Sequence, residues 1–173
     1  MSLPKLFLTD IDGVWTDGGM YYDEKGNELK KFNTSDSAGI LFCKTLNIKT
    51  GIITGEQTEI VKRRAAKLDV DYLFLGAKNK VQIVKSIIEE MGISMQEVAY
   101  IGDDLNDIYL LKEVGYSATP SNAPSYVKEV AKYHIPVAGG QGAFRCFVET
   151  ILEENKLLKS TIKKVLNNLN YVQ

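Results

Sequence analysis

Two cysteines, one histidine, one tryptophan and four prolines are all that this sequence of 173 residues holds of those types. Cys43 and Cys146 lie far apart in apolar contexts, so no disulfide framework is available and a reducing, cytoplasmic setting is expected. With His134 as the single imidazole and no Cys-x-x-Cys pair, neither a structural nor a catalytic zinc site is expected. No cleavable signal and no run of eighteen apolar residues is found, so no membrane span is expected. An excess of one charge is lacking too: 21 basic residues face 22 acidic ones, a net charge of -1, which leaves no broad footprint for nucleic acid or anionic lipid. An anionic ligand has to be bound locally, and carboxylates are left to do the chemistry.

What is present is the composition of a globular domain, 45% hydrophobic and 25% charged, expected to form one unit over residues 1–173. Short apolar runs alternate with stretches of helical period, the pattern of a three-layer, Rossmann-like α/β fold with a parallel sheet. Strands are expected at 5–9, 49–54, 71–75, 98–101 and 116–118, five in all, and helices at 35–47, 57–68, 79–91, 105–114, 123–130 and from 143 to about 169. The last, part of a helical tail over about 143–173, has a potential break near Asn155. One segment, about 18–33, departs from the alternation and reads as a projecting β-hairpin around a Glu-Lys-Gly-Asn turn. Its Met20, Tyr21, Tyr22, Leu29 and Phe32 need an apolar partner, and an isolated hairpin is marginal in water, so a neighbouring subunit is the expected source.

In an open α/β sheet, ligands bind beyond the carboxyl ends of the strands. There the first strand is followed by Asp10, Asp12 and Gly13, the second by Thr54, Gly55 and Glu56, and the fourth by Gly102, Asp103, Asp104 and Asp107, while Lys80 opens the helix after the third. If Asp10, Asp12 and Asp103 converge at about 4 Å, each like-charged pair repels by about 4 kcal/mol at an effective dielectric near 20, so the cluster needs a cation. An all-oxygen set too small for a closed cage suits Mg²⁺, which shares its shell with a substrate phosphate. The Thr54 hydroxyl and the backbone N–H groups at a helix start can hold phosphate oxygens, and Lys80 adds a fixed positive charge. The arrangement is suited to phosphoryl transfer, with Asp10 attacking phosphorus and Asp12 as general acid and base, a role that contributes about 10²- to 10⁴-fold. On the helix over 57–68, Arg64 falls on the apolar face with Lys67 at the three-residue spacing. The pair could hold a sugar carboxylate or reach into a neighbour's site, or Arg64 could simply snorkel beside a solvated Lys67. His134, Cys43 and Cys146 read as packing or surface residues.

Asp10-Ile-Asp12-Gly13-Val14, Thr54, Lys80 and Gly102-Asp103-Asp104-Leu-Asn-Asp107 resemble the four loop motifs of the haloacid-dehalogenase superfamily. More narrowly, residues 9–18, Phe32-Asn33, Thr54-Gly55 and the run from Gly139 to Arg145 resemble its capless phosphatases of 3-deoxy-2-ulosonate phosphates. That resemblance, over about residues 5–150, implies a cytosolic, Mg²⁺-dependent homotetramer without a cap domain, whose hairpins meet and whose active sites are closed by neighbouring subunits. It implies Asp10 as nucleophile and metal ligand, Asp12 as acid/base and a metal ligand through its backbone carbonyl, and Asp103 as the third metal contact. Thr54 and Lys80 would hold phosphate and nucleophile, and Asp104 and Asp107 would position the metal's water or Lys80; the residues expected to face substrate are Thr54, Gly55 and Glu56 and, on the first of the two helix readings above, Arg64 and Lys67. The octulosonate 8-phosphate branch, serving lipopolysaccharide synthesis, usually carries Arg where this chain has Glu56. The expectation therefore leans to a nonulosonate 9-phosphate of the sialic-acid type, with the eight-carbon substrate as the alternative. Cys146 stands where the Gly-rich motif often continues with Glu, which leaves the contact of the tail open. A reading of another class, a phospho-accepting signalling receiver, uses a similar carboxylate, hydroxyl and lysine set but has no need of Asp12.

Overall fold

The computed structural model describes residues 3–170, without the side chains of residues 169 and 170; positions 1–2 and 171–173, the ends of the expected domain and of its helical tail, lie outside the described residues. The chain opens with β1 (Leu6–Thr9), whose four residues are all buried because both faces of the strand are covered. Next come the hairpin strands β2 (Tyr21–Tyr22) and β3 (Glu28–Leu29), helix α1 (Asp36–Thr45), strand β4 (Lys49–Ile53), helix α2 (Glu59–Leu68), strand β5 (Tyr72–Phe74) and helix α3 (Lys80–Met91). Strand β6 (Val98–Ile101), helix α4 (Ile108–Glu113), strand β7 (Tyr116–Thr119), helix α5 (Ser125–Lys128), strand β8 (Tyr133–His134) and helices α6 (Ala143–Glu154) and α7 (Leu158–Asn170) complete it.

Six strands form one sheet in the order β5-β4-β1-β6-β7-β8, and every neighbouring pair is parallel. The chain builds outward from β1 through β4 to β5, then returns to lay β6 on the other flank of β1. The direction of winding therefore reverses beside β1, where a crevice at the strands' carboxyl ends is expected. One face of the sheet carries Trp15, Phe144, Phe147, Val61 and Ile40, with the Trp15 and Phe144 rings stacked at 5.1 Å; the other carries Val84, Ile87, Leu110, Leu111 and Val127. Helices thus cover both faces, as the alternation predicts.

Three expectations need correction. The sheet has a sixth strand: β8 is two residues long, too short for an apolar run, and is held by pairing Ala118 with Tyr133 and by the Tyr133 ring against Phe147 at 5.8 Å. The helix expected at 105–114 is a 3₁₀ turn over Leu105–Asp107 followed by α4, because the Asp104 and Asp107 side chains cap that turn reciprocally. The helix expected at 123–130 is the single turn α5. The tail does break near Asn155: Lys156 has a positive φ of 58° between α6 and α7. In the hairpin, the Asp23 carboxylate accepts the backbone N–H groups of Lys25 and Asn27 at 2.9 and 2.8 Å, and Gly26 takes a φ of +81°. Tyr22 and Leu29 are two-thirds exposed there, so the hairpin buries little apolar area within its own chain. Among the described residues no helix is long and apolar enough to cross a membrane.

Candidate active site

Asp10 leaves the end of β1 with its N–H still bonded to Ile101 O of β6 at 3.0 Å, so the sheet itself fixes where its side chain begins. Its Oδ1 accepts the N–H of Ile11 at 2.7 Å. Behind it the Thr9 hydroxyl donates to Asp10 O at 2.6 Å and accepts the buried Trp15 indole N–H at 2.9 Å, which ties the loop to the aromatic core. Gly13 turns the chain with a φ of +78°, and a Cβ there would lie 1.8 Å from Asp103 Oδ2. The loops after β1 and β6 therefore touch at a point only glycine leaves open.

Lys80, at the first turn of α3, is almost wholly buried and spends all three ammonium protons within the protein. It donates to Asp10 Oδ2 and to Asp107 Oδ1, each at 2.6 Å, and to the Tyr100 hydroxyl at 3.1 Å. The Tyr100 hydroxyl in turn donates to Asp107 Oδ1. Asp107 Oδ2 accepts the N–H groups of Asp103 at 2.9 Å and Asp104 at 3.1 Å. Both oxygens of Asp107 are thus engaged, and it orients Lys80 and the β6 loop at once. Carboxylate oxygens of Asp10, Asp103 and Asp107 lie within 4.8 Å of one another. Burial, opposed by Lys80 and reinforced by Asp107, pushes Asp10 up to about 6. Burial and then the charges of Asp10, Asp107 and Asp104 push Asp103 up to about 8.

The sequence expectation places Asp10, Asp12 and Asp103 together, but the third carboxylate of the tight group is Asp107. The Asp12 side chain turns toward the hairpin, where Lys30 Nζ donates to its Oδ1 at 2.6 Å and the Thr16 hydroxyl at 3.3 Å. Its Oδ2 is buried and has no hydrogen-bond partner among the described residues.

A cavity of about 410 Å³ opens over these groups, lined by Asp10, Asp12, Asp103 and Asp104, by Thr54, Gly55 and Glu56 of the β4 loop, and by Gly13, Gly18, Met20 and Asn106. Thr54 is buried, and its Oγ1 accepts the N–H of Glu56 at 3.2 Å, which leaves its own proton to be donated elsewhere. Arg64 and Lys67 are not among the lining residues. Arg64 lies 5.8 Å from the Trp15 ring centroid and 5.7 Å from that of Phe32, and donates to Asn33 O at 3.4 Å, while Lys67 is exposed. Arg145 pairs with Glu149 at 2.7 Å on α6, Cys43 is buried with its thiol pushed far up, and His134 Nε2 meets Lys128 O at 2.8 Å on the edge strand. Sequence reasoning missed Lys30, Tyr100, Met20, Gly18 and Asn106. Tyr100 carries a signal in hindsight, because a tyrosine in an otherwise aliphatic strand one turn from an acidic loop wants a partner for its hydroxyl.

The donor chemistry fits a hard divalent cation. The group that could hold an ion consists of carboxylate oxygens, with no imidazole or thiolate in it, and burial pushes the Asp10 and Asp103 carboxyls upward although Lys80 opposes the shift.

Comparison with known proteins agrees with the geometry. A family described as haloacid dehalogenase-like hydrolase matches residues 21–145. The 3-deoxy-D-manno-octulosonate 8-phosphate phosphatase of Salmonella typhi is 37% identical over 148 residues, 86% of this chain and 79% of the relative. That of Haemophilus influenzae is 34% identical over 149 residues, 86% of this chain and 83% of the relative. Among solved structures, a probable YrbI family phosphatase from Pseudomonas syringae superposes with a TM-score of 0.90 at 39% identity, covering 94% of this chain and 93% of that one. The octulosonate 8-phosphate phosphatase of Moraxella catarrhalis, solved with a magnesium ion, a phosphate ion and a KDO molecule, superposes with a TM-score of 0.89 at 32% identity, covering 92% of each chain.

Proposed function

Since the chain belongs to the haloacid dehalogenase-like hydrolases, we propose that it is a Mg²⁺-dependent phosphatase that removes the phosphate of a 3-deoxy-2-ulosonic sugar acid through an aspartyl phosphate. The observation that carries the reading is Asp10: a buried carboxylate pinned at 2.6 Å by Lys80, beside Asp103, at the floor of a cavity that also presents Thr54. Asp10 and Asp103, with the backbone carbonyl of Asp12, would hold the ion, which when bound supplies charge neutralisation for the carboxylates and the phosphate.

The chain's own residues account for the rest. Lys80 and the Ile11 N–H fix the Asp10 carboxylate from two sides, so little reorientation is needed before attack. The Thr54 hydroxyl and the backbone of Gly55 and Glu56 receive phosphate oxygens at the opposite wall. As the Asp10–phosphorus bond forms and the ester P–O bond breaks, Asp12 gives a proton to the departing sugar oxygen. Asp12 then takes a proton from the water that attacks phosphorus, releasing inorganic phosphate and restoring Asp10.

The relatives support 3-deoxy-D-manno-octulosonate 8-phosphate as the substrate, against the lean to nine carbons that the sequence motif alone suggests. A nonulosonate 9-phosphate is kept as the second reading on one observation: Glu56, at the cavity wall, offers acceptors to sugar hydroxyls. Measuring kcat/KM on both sugar phosphates, with Glu56→Arg alongside, separates them. The eight-carbon reading expects the octulosonate ester to be favoured by wild type; a preference for the nine-carbon ester that Glu56→Arg reverses establishes the second reading. Phosphate release that persists in EDTA would overturn the Mg²⁺ dependence. The same reading takes the chain as one cytoplasmic domain, supported by its free thiols Cys43 and Cys146, and as a homotetramer joined through the exposed hairpins, with Arg64 and Lys67 serving a neighbour's site. Sedimentation that gives an active monomer would remove that part.

A further inference from the structure

The hairpin exposes Tyr22 and Leu29 to solvent yet sends the Lys30 side chain inward. Lys30, just after β3, has a side chain of 0% exposure, and its ammonium lies 2.6 Å from Asp12 Oδ1. Its other close neighbours are Glu28 Oε1 at 3.7 Å and Met20 Sδ at 3.8 Å, so Asp12 is its one short charged partner. A lysine is almost never fully buried unless paired, and a pair of this kind holds both members in place. The Thr16 hydroxyl meets the same Oδ1 at 3.3 Å, while Oδ2 is buried without a partner among the described residues. One oxygen of Asp12 is therefore clamped from two sides, and the other is left to carry the moving proton.

We infer that Lys30 is a positioning residue of the reaction: it acts through Asp12, holding the carboxyl so that its free oxygen meets the departing ester oxygen, and it makes the hairpin a working part of the active site. The inference rests on the phosphatase reading and deepens it. In the step concerned, the proton passes from Asp12 to the bridging oxygen as the P–O bond breaks, and Lys30 neither gives nor takes that proton. A lysine that merely stapled the hairpin to the sheet would affect every substrate alike. One that positions Asp12 affects the ester-cleaving step only where the leaving group needs a proton, while the later hydrolysis of the aspartyl phosphate is common to both esters.

The test compares a sugar-acid phosphate, whose alkoxide leaves poorly, with para-nitrophenyl phosphate, whose phenolate leaves unaided. With Lys30→Met, kcat/KM, which covers the steps up to departure of the leaving group, is expected to fall about 10- to 100-fold on the sugar phosphate and less than about threefold on the aryl ester. Lys30→Arg, which keeps charge and reach, is expected to recover most of the loss, and keeps the test open if the methionine variant folds poorly. In an Asp12→Asn background, Lys30→Met is expected to add nothing further. Equal losses of kcat/KM on both esters, or an additive loss in the Asp12→Asn background, would overturn the positioning role while leaving the phosphatase standing. A wild-type protein that releases phosphate from neither ester would overturn the function and this inference with it.

Discussion

Two polar cavities of similar size lie at opposite ends of the sheet. The one over Asp10 measures about 410 Å³; the other, at the amino ends of β4 and β5, measures about 370 Å³ and is lined by Lys44, Asn47, Ile48, Lys49, Asp69, Val70 and Asp71. In the second, each carboxylate has its own lysine at 2.6 Å, Lys44 with Asp69 and Lys49 with Asp71, and Asp69 is 92% exposed. In the first, Asp10, Asp103 and Asp107 crowd around Lys80, under cover. Size and polarity do not distinguish the two. Burial without charge balance does, because water cannot screen the surplus of negative charge and a cation can.

The comparison breaks first at Asp10. Asp10→Asn removes the nucleophile while keeping the shape, and phosphate release should fall by about 10⁴-fold or more; a variant with a tenth of wild-type turnover would leave the cavity without its claim to be the site. Gly13→Ala is next. A methyl group 1.8 Å from Asp103 Oδ2, on a φ of +78°, must push the β1 and β6 loops apart, so kcat/KM should fall about 10²-fold and Mg²⁺ binding measured by calorimetry should weaken.

Asp36 sharpens the comparison away from either cavity. It is fully buried at the start of α1, where its Oδ1 accepts the Arg145 N–H at 3.1 Å and its Oδ2 has no hydrogen-bond partner among the described residues. Burial raises it from 3.8 to about 6 despite the Arg145 and Phe144 N–H groups and the Arg64 charge. The folded state then holds a proton that the unfolded chain releases, so stability falls as pH rises from about 4 to about 6 and levels off above that. Asp36→Asn, which can still accept the Arg145 N–H, should gain in melting temperature over wild type across that window; a difference independent of pH would refute it. The smallest effect belongs to the second cavity: Lys49→Ala should leave turnover within about twofold and the melting temperature within about 2 °C, because exposed pairs contribute little.

Most of the fold could be read in advance because its strands are apolar runs covered on both faces and its helices carry one apolar stripe, signals that survive without tertiary information. The residues at the strand ends were legible for the same reason: once β1, β4 and β6 are placed, Asp10, Thr54 and Asp103 must lie at one edge. Lys30 was not, since nothing local distinguishes it from Lys31, and only the path of the hairpin decides which of the two turns inward. The exchange of Asp12 for Asp107 in the carboxylate group has the same origin. Alternation says which way a side chain starts, but a partner from a distant segment decides where its charge goes. Strand β8 escaped because two residues paired to an edge have no periodicity to detect.

The place of β1 in the sheet also governs how the molecule is made. Leu6 must pair with Lys49 on one flank and with Val98 on the other, so during synthesis the first strand waits, half-paired and with an open apolar edge, until the middle of the message has been translated. A ribosome that stalls before β6 emerges leaves a nascent chain with a sticky edge and no activity, the state that holdase chaperones recognise. Recovery of turnover during refolding should therefore lag the return of helical signal, because the site is complete only after β6 has docked beside β1 over a long sequence separation.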